Sequence, residues 1–257
     1  MNPHYFSSGI LISDSAQELK HAMNFSLEFL TGYLFKLLFV FLLMRYKNLK
    51  IEWLGHSAFL IKNSALVYID PFQLKTNEKA DIIFITHGHY DHCSLQDIEK
   101  IVKKGTIIII PAGCQSKVMK LEEDVDIKVV NPGEQAIIKG IKAKAVPSYN
   151  TNKPAHPKGD GWNGYVLDFD NVRIYHAGDT DMIPEMSPLR EIDIALLPVD
   201  GKFAMSADEA AKAAEIIKPK LAIPMHYGTV AGTREDAERF VRLCMQKGIK
   251  AEIMEKI

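Results

Sequence analysis

The sequence predicts a layered α/β sandwich in a single domain, and three observations carry the prediction. The chain has 257 residues, 47% hydrophobic and 25% charged, which is enough to bury a substantial core. Strand-like and helix-like patterns alternate along the chain from about residue 45. Several strand-like runs end directly in loops that carry histidine or aspartate. We therefore expect one large domain at 45–257, preceded by an N-terminal extension at 1–44 outside the core fold.

The first elements of the predicted domain are strands. Short runs at 49–54, 57–61 and 65–69 are rich in β-branched and aromatic residues, and we expect them to pair as an antiparallel start. Three helices are predicted further on, each opened by a serine or threonine that caps it. The capping pairs are Ser94 with Asp97, Ser206 with Glu209, and Thr233 with Asp236, and the stop signals are Gly105, Pro219 and Gly248.

The most informative loop is Thr86–His92, which follows the apolar run Asp81–Ile85. Its four candidate metal ligands are His87, His89, Asp91 and His92. Gly88 lacks a Cβ, so the backbone can curl and the first two histidines can converge on one ion, while the last two residues face a second ion. Imidazole and carboxylate ligands without cysteine are typical of catalytic zinc sites. A solvated histidine tract is the alternative, but it does not explain the strand that precedes the loop.

Two further candidate ligands also follow strand-like runs. Asp179 lies on a glycine-bent turn after the run Asn171–Tyr175, and we expect it to bridge the two ions. His226 follows the run Lys220–Met225 and would complete the shell of the second ion.

At this point the chain resembles the metallo-β-lactamase-fold metal-dependent hydrolases. The motifs THGHYDH, HAGDT and MHYGT occur in the family's order, and the resemblance covers roughly residues 45–257. Order and spacing are also similar to the branch with ascorbate-phosphate lactonases and N-acylphosphatidylethanolamine phospholipase D. The resemblance implies a four-layer αββα sandwich with a dinuclear site at the strand ends. The implied ligands are His87 and His89 for the first ion, Asp91, His92 and His226 for the second, and Asp179 as the bridge.

One ligand departs from the family pattern. The family usually has a histidine directly after the strand that is Ile141–Pro147 here, but this chain has Ser148–Asn150. His156, in the following loop, is the nearest candidate for the third ligand of the first ion. The alternative is that His156 is a surface residue, and that Asn150 or water fills the open position.

Supporting roles are expected for residues around the ligands. Asp70 resembles the family's carboxylate that orients a ligand imidazole, with a turn-forming aspartate as the alternative. His176 is either a similar orienting residue or a packed histidine. The long loop at 148–163 is the expected substrate wall. In it, Lys153 and Lys158 would hold a phosphate or carboxylate and Trp162 an apolar or ring moiety, unless the lysines are solvated and the tryptophan only packs.

The expected activity is hydrolysis of an ester-type, lactone or phosphodiester bond in a small molecule by a metal-bridging hydroxide. Asp91 and Asp179 are the expected catalytic carboxylates, and Asp91 would relay the proton. Di-iron relatives resemble this pattern with glutamate at the position of His89, so two zinc ions per chain are favoured, although manganese or iron also suits these ligands. The alternative is a metal-binding or regulatory protein on the same scaffold with little or no hydrolytic activity.

Composition limits the partners. The net charge is −1 and no basic stripe is present, so no nucleic acid is expected. Three cysteines without a C-x-x-C pair favour a reducing, cytoplasmic location. The segment at 29–44 is apolar but interrupted by Lys36 and shorter than the roughly 20 residues of a spanning helix, so membrane association is expected only if it acts as an anchor. The sequence does not indicate an oligomeric state.

Overall fold

The structure is a computed structural model that describes residues 45, 46 and 48–257. The predicted extension at 1–44, with its apolar segment at 29–44, lies outside the described residues. Among the described residues, no helix is both long and apolar enough to cross a bilayer.

The first sheet has seven strands, which lie side by side in chain order. They are β1 (Arg45–Tyr46), β2 (Leu49–Gly55), β3 (Ala58–Lys62), β4 (Leu66–Ile69), β5 (Ile82–Phe84), β6 (Ile107–Ile110) and β7 (Asp126–Val129). Strands β1 to β4 pair antiparallel, and β4 to β7 pair parallel. The predicted antiparallel start is therefore confirmed in β2, β3 and β4.

The second sheet has six strands in the order β13-β12-β11-β10-β9-β8. They are β8 (Gln135–Ile138), β9 (Ile141–Pro147), β10 (Asn163–Phe169), β11 (Val172–His176), β12 (Ile194–Pro198) and β13 (Leu221–Met225). Strands β8 to β11 pair antiparallel, and β11 to β13 pair parallel. Strand β9 alternates between buried apolar residues and the exposed Lys142 and Lys144, whereas β12 and β13 are buried throughout, as parallel strands covered on both faces are.

Helices cover the outer faces of the sheets. They are α1 (Leu95–Ile101), α2 (Gln115–Val118), α3 (Ala207–Ile217) and α4 (Arg234–Gln246). The caps predicted at Ser94, Ser206 and Thr233 are confirmed, because each side chain accepts a hydrogen bond from the backbone N–H three residues later.

The core lies between the two sheets and beneath the helices. Tyr165 of β10 packs 5.1 Å from Phe84 of β5, ring centre to ring centre, and its hydroxyl donates to the carbonyl of Ile85. On the outer side of the first sheet, Ile98 of α1 and Val118 of α2 join a buried apolar cluster. On the second sheet, α3 contacts β12 and α4 contacts β13. Each fully buried large aliphatic side chain contributes roughly 1.5–3 kcal/mol. These layers form the predicted αββα sandwich, which is confirmed.

The strand directions bring the polar loops together. Strands β4 and β5 run parallel, and so do β11, β12 and β13 in the other sheet. Strand β9 has the direction of β11, because both are antiparallel to β10. The segments that follow the carboxyl ends of these strands therefore meet at one edge of the sandwich, where ligands of open α/β sheets commonly bind.

Candidate metal centre

The loop after β5 is fixed at its base by a buried carboxylate. Asp70, at the end of β4, accepts hydrogen bonds from the backbone N–H and the hydroxyl of Thr86, at 2.8 and 2.6 Å. The backbone then turns, and the N–H of Cys93 donates to the carbonyl of His89 at 2.8 Å. The turn brings His87 Nε2 to 3.1 Å from His89 Nδ1.

A first group of possible ligands consists of His87, His89 and His156, whose ligand atoms all lie within 4.8 Å of one another. The side chain of His156 is 1% exposed, so it is not a surface residue. The loop after β9 therefore brings an imidazole to the two histidines of the loop after β5.

A second group surrounds the other side of the site. It consists of His56, Asp91, His92 and His226, again with ligand atoms within 4.8 Å of one another. Asp179 lies between the two groups. Its Oδ2 is 2.9 Å from Nε2 of His226, 3.3 Å from that of His92, 3.4 Å from that of His156 and 4.0 Å from that of His87.

The chemistry of these groups fits divalent cations. Nε2 of His92, His156 and His226, together with Asp179 Oδ1, are buried and have no hydrogen-bond partner among the described residues. A buried polar atom without a partner is costly, so such a cluster implies a missing partner. Imidazole nitrogen and carboxylate oxygen suit zinc and similar ions, and neither group contains a thiol.

The electrostatics of the cluster agree with this fit. Burial opposes the charge on Asp179, but His226 and His92 outweigh it and hold the carboxyl pKa well below its usual range. Burial likewise opposes the charge on His226, yet Asp179 and Asp200 raise its pKa to about 9. His87 differs, because burial and the neighbouring His92 hold its pKa well below the usual range. The cluster therefore favours positive charge beside Asp179, which a divalent cation would supply.

Carboxylates also orient the ligand imidazoles. Asp70 Oδ2 accepts from Nδ1 of His92 at 2.7 Å, which leaves Nε2 facing the site. Asp200 Oδ2 lies 3.1 Å from Nδ1 of His226, an ion-pair contact that lacks hydrogen-bond geometry. Such partners fix the tautomer and the ring direction of metal-binding histidines.

Two residues of the site were missed by sequence reasoning. His56 Nε2 donates to Asp91 Oδ2 at 3.0 Å, and burial lowers the pKa of His56 to about 4, so its ring is neutral. Asp200 is the other. Both had a usable signal, since His56 follows Gly55 at the end of β2, and Asp200 follows the apolar strand β12.

Three residues of the site have a strained backbone. His56, Asp70 and His226 have φ of 54°, 45° and 61°, in the left-handed region that non-glycine residues rarely adopt. Each costs on the order of 1–3 kcal/mol and persists only where surrounding contacts impose it. The N–H of His226 donates to the carbonyl of His56 at 3.0 Å, and Trp53 Nε1 donates to that same carbonyl at 2.9 Å.

The remaining predicted residues have other partners. His176 contacts the carbonyl of Ser57 through Nε2 and accepts from the N–H of Gly178 through Nδ1, so it packs beneath the turn that carries Asp179 and belongs to neither ligand group. The ring of Trp162 lies 4.9, 5.0 and 5.2 Å from those of His87, His89 and His156.

The two lysines of the loop are both paired with carboxylates. Lys153 contacts Asp181, and Lys158 contacts Glu185 at 3.0 Å and the hydroxyl of Tyr149 at 3.2 Å. Either lysine would have to leave its partner to hold a substrate anion.

Comparison with known proteins gives a consistent result. Residues 50–226 match the family described as Beta-lactamase superfamily domain. The chain is similar to UPF0173 metal-dependent hydrolases of Archaeoglobus fulgidus, with 36% identity over 80% of this chain and 95% of the relative, and of Thermoplasma acidophilum, with 38% identity over 77% and 91%.

Solved structures show the same relationship. A proposed metal-dependent hydrolase of Parabacteroides distasonis has a TM-score of 0.72 and 35% identity, and the match covers 80% of this chain and 93% of that one. The metallo hydrolase Igni18 of Ignicoccus hospitalis has a TM-score of 0.67 and 25% identity over 81% and 95%. With its fold, its clustered histidines and these relatives, the chain belongs to the UPF0173 family of metal-dependent hydrolases in the β-lactamase superfamily.

Proposed function

We propose that this protein is a dizinc hydrolase of ester-type, lactone or phosphodiester bonds in small molecules. The observation that carries the proposal is the set of four imidazole Nε2 atoms within 4.0 Å of Asp179 Oδ2, three of them buried without a hydrogen-bond partner. When bound there, two divalent ions supply an acidified water and polarise the substrate oxygen.

The chain's own residues have separate tasks in this proposal. His87, His89 and His156 would hold one ion, Asp91, His92 and His226 the other, and Asp179 both. Asp91 is ionised at neutral pH, since the hydrogen bond from His56 outweighs burial and lowers the carboxyl pKa to about 2. This low pKa keeps Asp91 an anion but makes it a weak base, so we assign to it only the transient relay of the proton from the attacking water to the leaving group.

The surroundings of the site support an uncharged substrate ahead of an anionic one. Lys153 and Lys158 are already paired with carboxylates. Trp162 lines the first ligand group, and the exposed ring of Tyr90 packs against Phe72 at 5.8 Å next to the second. Aromatic walls favour apolar or ring moieties. We therefore place a neutral lactone or ester first and a phosphodiester second.

Zinc is proposed over iron or manganese because the ligand groups are rich in imidazole and contain no glutamate. We also propose a cytoplasmic protein without a nucleic-acid partner, since the net charge is −1 and all three cysteines are free and buried.

Metal analysis and a substrate panel test the proposal. Purified protein, dialysed against metal-free buffer and analysed by mass spectrometry, is expected to retain close to two zinc ions per chain. It should hydrolyse lactones or esters in a reaction that a chelator stops and zinc restores. Asp91→Ala should abolish turnover, whereas Asp168→Asn, on β10 beside Arg173, should leave it unchanged.

The same experiment decides the alternative function. One ion per chain and no turnover across lactones, esters and phosphodiesters would favour a regulatory metal-binding protein. Turnover by protein that retains two iron or two manganese ions would support the hydrolase function and show that its metal is not zinc.

A further inference from the structure

We propose that Asn150 and Asp181 are positioning residues that set the affinity of the first metal position by fixing the ring of His156. The inference rests on the proposed dinuclear site and adds to it how a loop histidine takes the place of a strand-end ligand.

The first step is the tautomer of His156. Its Nδ1 lies 3.1 Å from Asn150 Oδ1 and 3.1 Å from the carbonyl oxygen of Phe203. Both partners are acceptors, so Nδ1 carries the proton and Nε2 keeps its lone pair. Nε2 is buried, has no hydrogen-bond partner among the described residues and lies 3.4 Å from Asp179 Oδ2. The Asn150 contact thus prepares the nitrogen that faces the site.

The second step is the orientation of the Asn150 amide. Oδ1 also accepts from the backbone N–H of His156 at 3.0 Å, while Nδ2 donates to Asp181 Oδ1 at 3.2 Å and to the carbonyl of Phe203 at 2.9 Å. A flipped amide would set its NH₂ group against two N–H donors, so only one orientation satisfies these contacts. The backbone N–H of Asn150 closes the loop by donating to the carbonyl of His156 at 2.7 Å.

The third step is the anchor of this arrangement. Asp181, two residues after Asp179, is 2% exposed. Its Oδ2 accepts from the backbone N–H of Thr151 at 2.8 Å and from the Thr151 hydroxyl at 3.2 Å, and Lys153 pairs with Oδ1. The carboxylate therefore ties the start of the loop to the turn that carries the bridging ligand. Partners of this kind typically change metal affinity by roughly 10- to 100-fold when they are removed.

Asn150 and His156 therefore have different roles in the loop after β9. Asn150 stands near the strand end, where the family pattern has a metal ligand, and here it holds the ligand from six residues further on. Lys153 then serves the loop through Asp181 and not the substrate.

Zinc titration of the full-length protein tests the inference. Asn150→Ala is expected to lower the affinity for the first ion about 10- to 100-fold and to leave the affinity for the second ion within about threefold of the wild-type value. Asn152→Ala is the matched control, because Asn152 is exposed in the same loop and, among the described residues, its side chain forms a hydrogen bond with Lys153 alone. Circular dichroism and thermal melting establish that each variant is folded. Equal first-ion affinity in Asn150→Ala and the wild type would overturn the inference while leaving the dinuclear site intact.

A spectroscopic readout keeps the test decisive if Asn150→Ala does not fold. In zinc-loaded protein labelled with ¹⁵N-histidine, the His156 resonances, assigned by their loss in His156→Ala, should show a protonated Nδ1 in a hydrogen bond. Asp181→Ala should weaken that hydrogen bond and also lower the affinity for the first ion. A protonated Nε2 in the wild type would refute the inference, and a wild type that binds no zinc would refute both it and the proposed function.

Discussion

At the scale of single residues, the site depends on which nitrogen of each imidazole is left free. Asp70 is fully buried and receives donors from Thr86 and His92 on its two oxygens. Because each oxygen is committed, the carboxylate leaves His92 only the tautomer with Nδ1 protonated. The acceptor oxygen of Asp70 therefore decides whether Nε2 of His92 is free to bind a metal ion.

Replacing Asp70 with asparagine tests this dependence. In Asp70→Asn the amide NH₂ would donate to Nδ1 of His92 or face the donors of Thr86, so the ring would protonate on Nε2 or lose its anchor. We expect a roughly 10- to 100-fold loss in affinity for the second ion, measured by zinc titration. Asp168→Asn, whose carboxylate lies 3.5 Å from Arg173, is the control. An unchanged zinc affinity would contradict the role of Asp70.

At the scale of elements, the turn after β11 places Asp179 only because glycine precedes it. Gly178 has φ of +65°, and a Cβ there would lie 2.8 Å from the carbonyl oxygen of Asn163 and 3.0 Å from the hydroxyl of Ser148. The first distance is shorter than real Cβ contacts and involves a backbone atom, and the second is tighter than most real Cβ contacts. The turn is thus pressed against β10 and the segment that follows β9.

Alanine substitutions at Gly178 and Gly140 distinguish the effect of backbone strain from the effect of steric crowding. Gly140→Ala is the matched control, since Gly140 also has positive φ, at +84°, but a Cβ added there would have no atom within 4 Å. We expect Gly140→Ala to cost about 1–2 kcal/mol of unfolding free energy with zinc binding intact. Gly178→Ala should cost more and also lower the zinc stoichiometry, because the carboxylate after it would move. Similar zinc content in the two variants would show that crowding does not reach Asp179.

The N-terminus of α1 gives a pH-dependent prediction. Asp97 accepts hydrogen bonds from Ser94 and from the N–H groups of Gln73 and Leu74. Burial opposes its charge, but the contacts with Ser94 and Lys100 prevail and the carboxyl pKa is lowered. A carboxyl group with a lowered pKa stabilises the folded chain at pH values above its pKa in the unfolded chain, which is about 3.9. This stabilisation is lost as the pH falls below that value.

We therefore expect Asp97→Asn to lower the unfolding free energy of the metal-free protein by about 1–3 kcal/mol at pH 7. The difference from the wild type should shrink as the pH falls from about 5 towards 3, as followed by urea unfolding. A difference that stays constant over that range would show that the charge of Asp97 contributes nothing.

At the scale of the whole molecule, the candidate metal centre lies between the two sheets. Its residues follow strands β2, β4 and β5 of one sheet and β9, β11, β12 and β13 of the other. Any ion bound there stabilises the folded chain only, because the unfolded chain does not hold these groups together.

Removal of metal should therefore lower the melting temperature. Zinc at about 1,000 times its dissociation constant adds about 4 kcal/mol, which corresponds to roughly 10 °C for a domain of this size. Differential scanning calorimetry with zinc and with a chelator measures this shift. Asp179→Ala should reduce the shift strongly, and an equal shift in that variant would place the stabilising zinc elsewhere.

The strand starts and the three helix caps were predictable from the sequence, because turn residues and caps act through neighbours in the chain. Thr86–His92, Asp179 and His226 were recognisable as candidate ligands because each follows an apolar strand, and the structure brings their side chains into one cluster. The sequence left open whether His156 approaches the site, and sequence reasoning missed His56 and Asp200 although each follows a strand.

The sequence by itself determined the kinds of ligand and the elements that carry them. Only the tertiary structure decided that His156 turns inward, that Lys153 is taken by Asp181, and that His56 contacts Asp91. The physical reason is that each of these outcomes depends on a hydrogen bond or ion pair between segments far apart in the chain or across a loop, and only the pairing of strands within each sheet and the folding of the loops at their ends bring such partners within reach.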